Sequence, residues 1–171
     1  FTKMHGLGND FVIIDRRTKD IEINDNLIQK ISDRRTGAGC DQLITINNSN
    51  NKNADIRIDI FNPSGDQAEA CGNGTRCVAK MLFNENNEKE TLMIQSDAGI
   101  LIAKKVGANI SVNMGKLTTS WKKIPLSEEM DPLNIPIKVE GFEKVVSVNI
   151  GNPLVVFFGK SIANIDLKEI G

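Results

Sequence analysis

Three short apolar runs, separated by turns of two or three residues, constrain this chain most. They cover residues 91–95, 100–106 and 109–114, and the joints are Asp97-Ala98-Gly99 and Gly107-Ala108. Joints this short reverse the chain, whereas a parallel return needs a dozen residues or more. The runs therefore form a meander, and the fold class expected is α+β with a mostly antiparallel sheet. Residues 54–62 add a strand, with Ile56, Ile58 and Ile60 on one face and Asp55, Arg57 and Asp59 on the other. It ends at Asn62-Pro63-Ser64-Gly65, where proline fixes φ and glycine accepts a positive one. Phe11-Val12-Ile13-Ile14 and Leu43-Ile44-Thr45-Ile46 read as further strands. Between them Asn24 or Asp25 can cap a helix over Leu27, Ile28 and Ile31, which stops before Thr36-Gly37-Ala38-Gly39. Residues 47–53, nearly all Asn, Ser and Lys, read as a surface hairpin loop.

The texture changes at 115–136, where Pro125, Pro132, Pro136, Trp121 and mixed charges suggest a crossover between domains. The expected division is therefore 1–115 and 116–171. In the second part strands are expected at 137–140, 145–150 and 154–158, with a Gly151-Asn152-Pro153 loop. A short helix at 167–170 would be capped by Asp166. Three strands leave little to cover their apolar faces. The second lobe is thus expected to be incomplete, and the chain to be a piece of a longer one.

The chemistry concentrates in Glu69-Ala70-Cys71-Gly72-Asn73-Gly74-Thr75-Arg76-Cys77. From about Thr75, the spacing of Cys77, Val78, Met81 and Leu82 marks one face of a helix running to Phe83. Gly72 and Gly74 are expected to make a tight turn that lets backbone approach a ligand. The unpaired N–H groups of a helix start favour an anion, so Cys71 is pushed towards its thiolate there. The same groups suit a carboxylate. Cys77, on the apolar face, reads as a small buried hydrophobe.

Other readings are excluded by composition. At 40% hydrophobic and 25% charged the chain is globular rather than disordered. A net charge of −1 with no basic stripe argues against nucleic acid. No apolar run reaches membrane-spanning length and no secretory segment opens the chain, so no membrane partner is expected. Three cysteines, Cys40, Cys71 and Cys77, are an odd count without framework spacing, which suggests reduced thiols in a cytoplasm. One histidine, His5, leaves too few ligands for a Cys/His zinc site, so no metal is expected. Gly6-Leu7-Gly8 resembles the start of a dinucleotide fingerprint, but Phe11 stands where a third glycine belongs and no clean βαβ unit is expected after it. Asn9, in that loop, offers both donors and acceptors to an amino acid, or serves only as a turn former.

Several motifs, in order, closely resemble diaminopimelate epimerase. They are Lys3-Met4-His5-Gly6-Leu7-Gly8-Asn9-Asp10-Phe11, Gly39-Cys40-Asp41-Gln42-Leu43, Phe61-Asn62-Pro63-Ser64-Gly65, Ala70-Cys71-Gly72-Asn73-Gly74-Thr75-Arg76-Cys77 and Gly151-Asn152-Pro153. The resemblance spans the chain. It implies two pseudo-symmetric lobes, each a sheet curled around a central helix, with the active site between them. It implies interconversion of LL- and meso-diaminopimelate, a step towards lysine and cell-wall peptide, without pyridoxal phosphate, metal or other cofactor. One thiolate takes the α-proton and a thiol on the opposite face returns one; the first cysteine matches Cys71. By position, Asn9, Gln42, Asn62 and Asn152 would hold the substrate's polar groups, and Gly72 and Asn73 would offer N–H groups to its α-carboxylate. The family is often dimeric, so a homodimer is a further expectation.

This sequence departs from the family twice. The second cysteine, in its own Cys-Gly-x-Gly setting, is not among these residues, and Cys40 and Cys77 lie in other motifs. These residues alone are therefore expected not to epimerise. Leu154 stands where the family commonly has His after Asn-Pro. The alternatives are a related racemase acting on another amino acid, such as histidine, and a non-catalytic binding module. Proline-racemase relatives fit less well, because they place His where this chain has Asn73.

Overall fold

A computed structural model describes residues 1–161 and 165–166. Two compact units emerge, 1–115 and 116–171.

The first unit is one mixed sheet wrapped around a helix. Its strands are β1 (Thr2–Gly6), β2 (Asn9–Asp15), β3 (Gln42–Asn47), β4 (Ile56–Phe61), β5 (Gln67–Ala68), β6 (Thr91–Ser96), β7 (Gly99–Val106) and β8 (Asn109–Asn113). Its helices are α1 (Asp25–Ser32) and α2 (Gly72–Glu85). The spatial order is β1-β2-β3-β4-β6-β7-β8, with the short β5 beside β4. Helix α2 touches β1 at one edge of this order and β8 at the other. A sheet whose two edges meet the same helix must curl around it.

Five strand pairings are antiparallel and two are parallel, β2 with β3 and β4 with β6. The meander of β6, β7 and β8 forms as expected, though Gly99 opens β7 and leaves a first joint of two residues rather than three; Gly107 takes φ 59 in the second. The parallel pairs arise where a helix fills the connection. Thus β2, α1 and β3 do form a βαβ unit, contrary to expectation, because 26 residues separate the strands (16–41), enough for a crossover.

The glycine loop is likewise not a helix-opening fingerprint. It is the tip of a hairpin between β1, a strand the composition did not suggest, and β2. Leu7 at φ 57 and Gly8 at φ 88 give the two left-handed residues that such a turn needs.

The core lies between the sheet and α2. Phe11, Ile13, Ile44, Ile58 and Ile60 meet Cys77, Val78, Leu82 and Phe83 there. On the other side of β2, Val12, Ile14, Leu43 and Cys40 pack with Ile23 and Ile31 of the α1 side. Burial on both faces explains the unbroken Phe11-Val12-Ile13-Ile14 run. Asn24 caps α1, its side chain accepting from the Leu27 N–H at 3.0 Å.

The second unit departs further from expectation. Among its described residues two strands form, β9 (Lys144–Asn149) and β10 (Pro153–Phe158), paired antiparallel around a turn with Gly151 at φ 89. No strand forms at 137–140. The segment expected to be a crossover packs along β9. Ile124 and Ile135 are buried, and backbone bonds join Ile135 to Val145, Ser147 to Pro132 and Thr118 to Asn149. Prolines here shape an irregular packed segment. The helix expected at 167–170 lies outside the described residues.

Candidate active site around Cys71

Helix α2 begins at Gly72, three residues earlier than its apolar spacing suggests, and Cys71 is its N-cap. The Gly74 N–H donates to Cys71 Sγ at 3.4 Å, while the Thr75 N–H and Oγ1 donate to the Cys71 carbonyl at 2.9 and 2.8 Å. Gly72 and Asn73 occupy the first two helical positions, whose N–H groups have no intrahelical acceptor. These two donors are the groups expected to form the anion cradle.

The glycines do not make the tight turn expected of them, since neither has a positive φ. Gly74 is required for packing: a Cβ there would stand 2.5 Å from Ile44 Cδ1 and 3.3 Å from Phe11 Cε1. Gly6 has a similar role, because its Cβ would meet the Asn73 carbonyl oxygen at 3.3 Å. Close approach brings the end of β1 against the helix start.

The sheet register gathers the other candidates at the same end. Asn9 opens β2, Gln42 opens the parallel β3, and Asn62 follows the last residue of antiparallel β4. Asn9 Oδ1 lies 3.9 Å from Cys71 Sγ and accepts from Asn73 Nδ2 at 3.5 Å. Asn73 Oδ1 in turn accepts from Arg76. Gln42 Nε2 donates to Asn62 Oδ1 at 3.0 Å, and Asn62 Nδ2 donates to Asp66 at 2.6 Å. Asn9 does not present both functions on the Cys71 side: its Nδ2 donates to Asp41 Oδ2 at 2.9 Å. Asn152 belongs to the second unit, exposed in the turn between β9 and β10.

Sequence patterns gave no role to the charges behind Asn9. Asp10, Asp41, Arg34 and Lys3 form a linked ion group on the other face of β2. Hydrogen bonds from Arg34 hold the Asp10 carboxyl well below the usual carboxylate range, against the opposing effect of desolvation. The signal available in the sequence is position: Asp10 directly follows Asn9, and Asp41 directly precedes Gln42. The pleat turns each acid away from its polar neighbour, towards the other.

The three cysteines are free but differently placed. Cys71 is half-buried. Cys77, further along α2, is in the core, and burial pushes its thiol pKa up. Cys40 is buried in the other cluster, its Sγ 3.5 Å from Ser32 Oγ.

The family model for diaminopimelate epimerase matches residues 1–120. A diaminopimelate epimerase of Zymomonas mobilis is 42% identical over 171 residues, all of this chain and 61% of that protein. One from a Wolbachia strain of Drosophila simulans is 44% identical over 172 residues, covering 63% of its length. The chain thus spans about three fifths of the relatives it matches. In fold it is similar to the structure of a predicted epimerase from Pseudomonas aeruginosa, with a TM-score of 0.58 and 16% identity over 95% of this chain and 60% of that one. A phenazine biosynthesis protein of the PhzF family from Bacillus anthracis matches with a TM-score of 0.55 and 24% identity, over 94% of this chain and 53% of that one.

Proposed function

This chain belongs to the diaminopimelate epimerase family, and on that premise we propose that Cys71 is one of two opposed acid–base thiols that interconvert LL- and meso-diaminopimelate. The observation that carries the reading is the setting of Cys71: a half-buried thiol capping α2, beside the free N–H groups of Gly72 and Asn73. The Cys71 thiolate takes the α-proton, giving an S–H and a carbanion. A thiol on the opposite face gives its proton to that carbanion, leaving its own thiolate and an inverted centre. The α-carboxylate sits on the Gly72 and Asn73 N–H groups, whose fixed dipoles stabilise the charge that develops as the proton leaves. Asn9, Gln42, Asn62 and Asn152 hold the polar groups, and no cofactor takes part. Two bases on opposite faces give inversion, whereas a single base would return the proton to the face it came from.

Cys40 and Cys77 are too buried to serve as the opposing thiol. These 171 residues by themselves therefore do not epimerise, and the activity belongs to a site completed by a second thiol. Three reduced thiols fit a bacterial cytoplasm, and the described residues hold no helix long and apolar enough to cross a membrane. The substrate is a small amino acid, and a homodimer is the assembly carried over from the family. Leu154 opens a second reading, a racemase of another amino acid such as histidine, because a leucine side chain offers no hydrogen bond after Asn152-Pro153.

Alkylation of each cysteine by iodoacetamide near neutral pH, followed by mass spectrometry, tests the role of Cys71. Cys71→Ala should remove the fast-reacting thiol, and Cys77→Ala should leave it. A fast thiol that survives Cys71→Ala sinks the proposal. Deuterium exchange into diaminopimelate and histidine, with each cysteine in place, separates the two substrates; inversion by these 171 residues alone would overturn the two-thiol scheme.

A further inference from the structure

A chain of hydrogen bonds runs past Cys71 from one fixed charge to another. Arg34 Nη2 donates to Asp41 Oδ1 at 2.7 Å. Asp41 Oδ2 accepts from the Asp10 N–H at 3.0 Å and from Asn9 Nδ2 at 2.9 Å. Asn9 Oδ1 accepts from Asn73 Nδ2, and Asn73 Oδ1 accepts from Arg76. A carboxamide can turn its oxygen and nitrogen either way, so its orientation is set by what it faces. An ionised carboxylate only accepts and a guanidinium only donates. With Asp41 at one end and Arg76 at the other, just one orientation satisfies both amides, and it aims Asn9 Oδ1 at Cys71 Sγ.

We propose that Asp41 and Arg76 are positioning residues that lock the Asn9 and Asn73 carboxamides, so that Asn9 meets Cys71 and any bound ammonium group only as an acceptor. Cys71 Sγ then has an N–H donor on one side, from Gly74 at 3.4 Å, and an acceptor on the other, from Asn9 at 3.9 Å. A sulfur that must alternate between thiolate and thiol needs both: the donor serves S⁻ and the acceptor serves S–H. Asparagine cannot replace Asp41, although it has the same shape. Arg34 and the pair of Asp10 and Asn9 both require oxygen, and asparagine has only one. In Asp41→Asn an N–H₂ group must face one set of donors, and Asn9 is released to turn its own N–H₂ towards Sγ.

The proposal deepens the acid–base reading of Cys71, but alkylation is its readout, so it can fail while that reading stands. Iodoacetamide modification is measured on Cys71, with buried Cys77 as the internal gauge of unfolding. Asp41→Asn should speed Cys71 by about threefold, the worth of one gained hydrogen bond, and leave Cys77 unchanged. In an Asn9→Leu background the same substitution should change nothing. Equal Cys71 rates with and without Asp41→Asn, or the same acceleration in the Asn9→Leu background, would overturn the proposal. Should Asp41→Asn expose Cys77 by unfolding, the unsubstituted chain gives the decision by NMR. The Asn9 side-chain N–H₂ should exchange with water more slowly than that of exposed Asn50, and equal rates refute the lock.

Discussion

Asp10 carries two contacts from Arg34 and one from Lys3, yet its backbone also supplies the N–H and carbonyl that tie β2 to Asp41. One residue thus couples the strand register to the ion group. Because Arg34 lowers its folded-state pKa below the unfolded value, Asp10 binds a proton more readily when unfolded. Its contribution to stability is fully present above the unfolded value, about pH 4 for aspartate, and is lost as pH falls through the folded value. Unfolding followed in urea from pH 6 downwards should therefore show a steady loss below about pH 4. Arg34→Met should flatten that part of the profile; an unchanged slope would mean the pair is too well solvated to matter. The same residue shows what sequence conceals. An aspartate after Asn9 reads as part of a turn, and only the parallel neighbour β3 brings Asp41 within reach.

At the scale of elements, the segment after α1 sets where Asp41 stands. It folds back on the helix end: the Gly37 N–H reaches the Asp33 carbonyl at 2.9 Å, and the Gly39 N–H reaches that of Ile31 at 2.9 Å. Gly39 takes φ 68, which favours glycine. A Cβ on Gly37 would lie 2.0 Å from the Lys30 carbonyl oxygen and 2.7 Å from that of Ile31. Neither is a side chain that can swing aside. Gly37→Ala is thus expected to destabilise the unit by about 3 kcal/mol, read as a lower urea midpoint. A midpoint like that of the unsubstituted chain would show that the segment relaxes freely. Glycines in the sequence announce only that the chain bends. Here their reason is the closeness of helix carbonyls, just as the reason for Gly74 is the closeness of Ile44 and Phe11 rather than a turn. Helix α2 teaches the same lesson about boundaries. Its apolar spacing starts only at Cys77, but the helix starts at Gly72, because buried Gly74 and Thr75 carry no large apolar side chain to mark the pattern.

Taken as a whole molecule, the two units differ in how they shelter apolar surface. The first encloses α2 within its curled sheet. In the second, Leu154, Val155, Val156 and Phe158 of β10 are 44%, 52%, 37% and 53% exposed. Adjacent residues point to opposite faces, so β10 is open on both, whereas Val145 and Val146 of β9 are buried. Such a surface should bind the dye anilinonaphthalene sulfonate in the native state. Val155→Lys should lower that fluorescence and shift stability by less than about 0.5 kcal/mol, as expected for an exposed site. Fluorescence that is unchanged by Val155→Lys would locate the dye elsewhere.

The sequence alone determined the strands whose pattern is local: the alternation in Ile56, Ile58 and Ile60, the short joints of β6 to β8, and the β-branched run of β2. It also marked Cys71 as a thiol at a helix start, and its motifs were enough to place the chain beside one family. These features depend on residues near each other in the chain, where backbone geometry is set. Tertiary structure decided which strands lie parallel, why Gly6, Gly37 and Gly74 lack side chains, and how Thr118, Pro132 and Ile135 pair with β9. It also decided the orientation of Asn9, which rests on Asp41, 32 residues away, and on Asn73 beyond the next sheet strands. Hydrogen-bond polarity passes between residues that only folding brings together, so composition and spacing carry no trace of it.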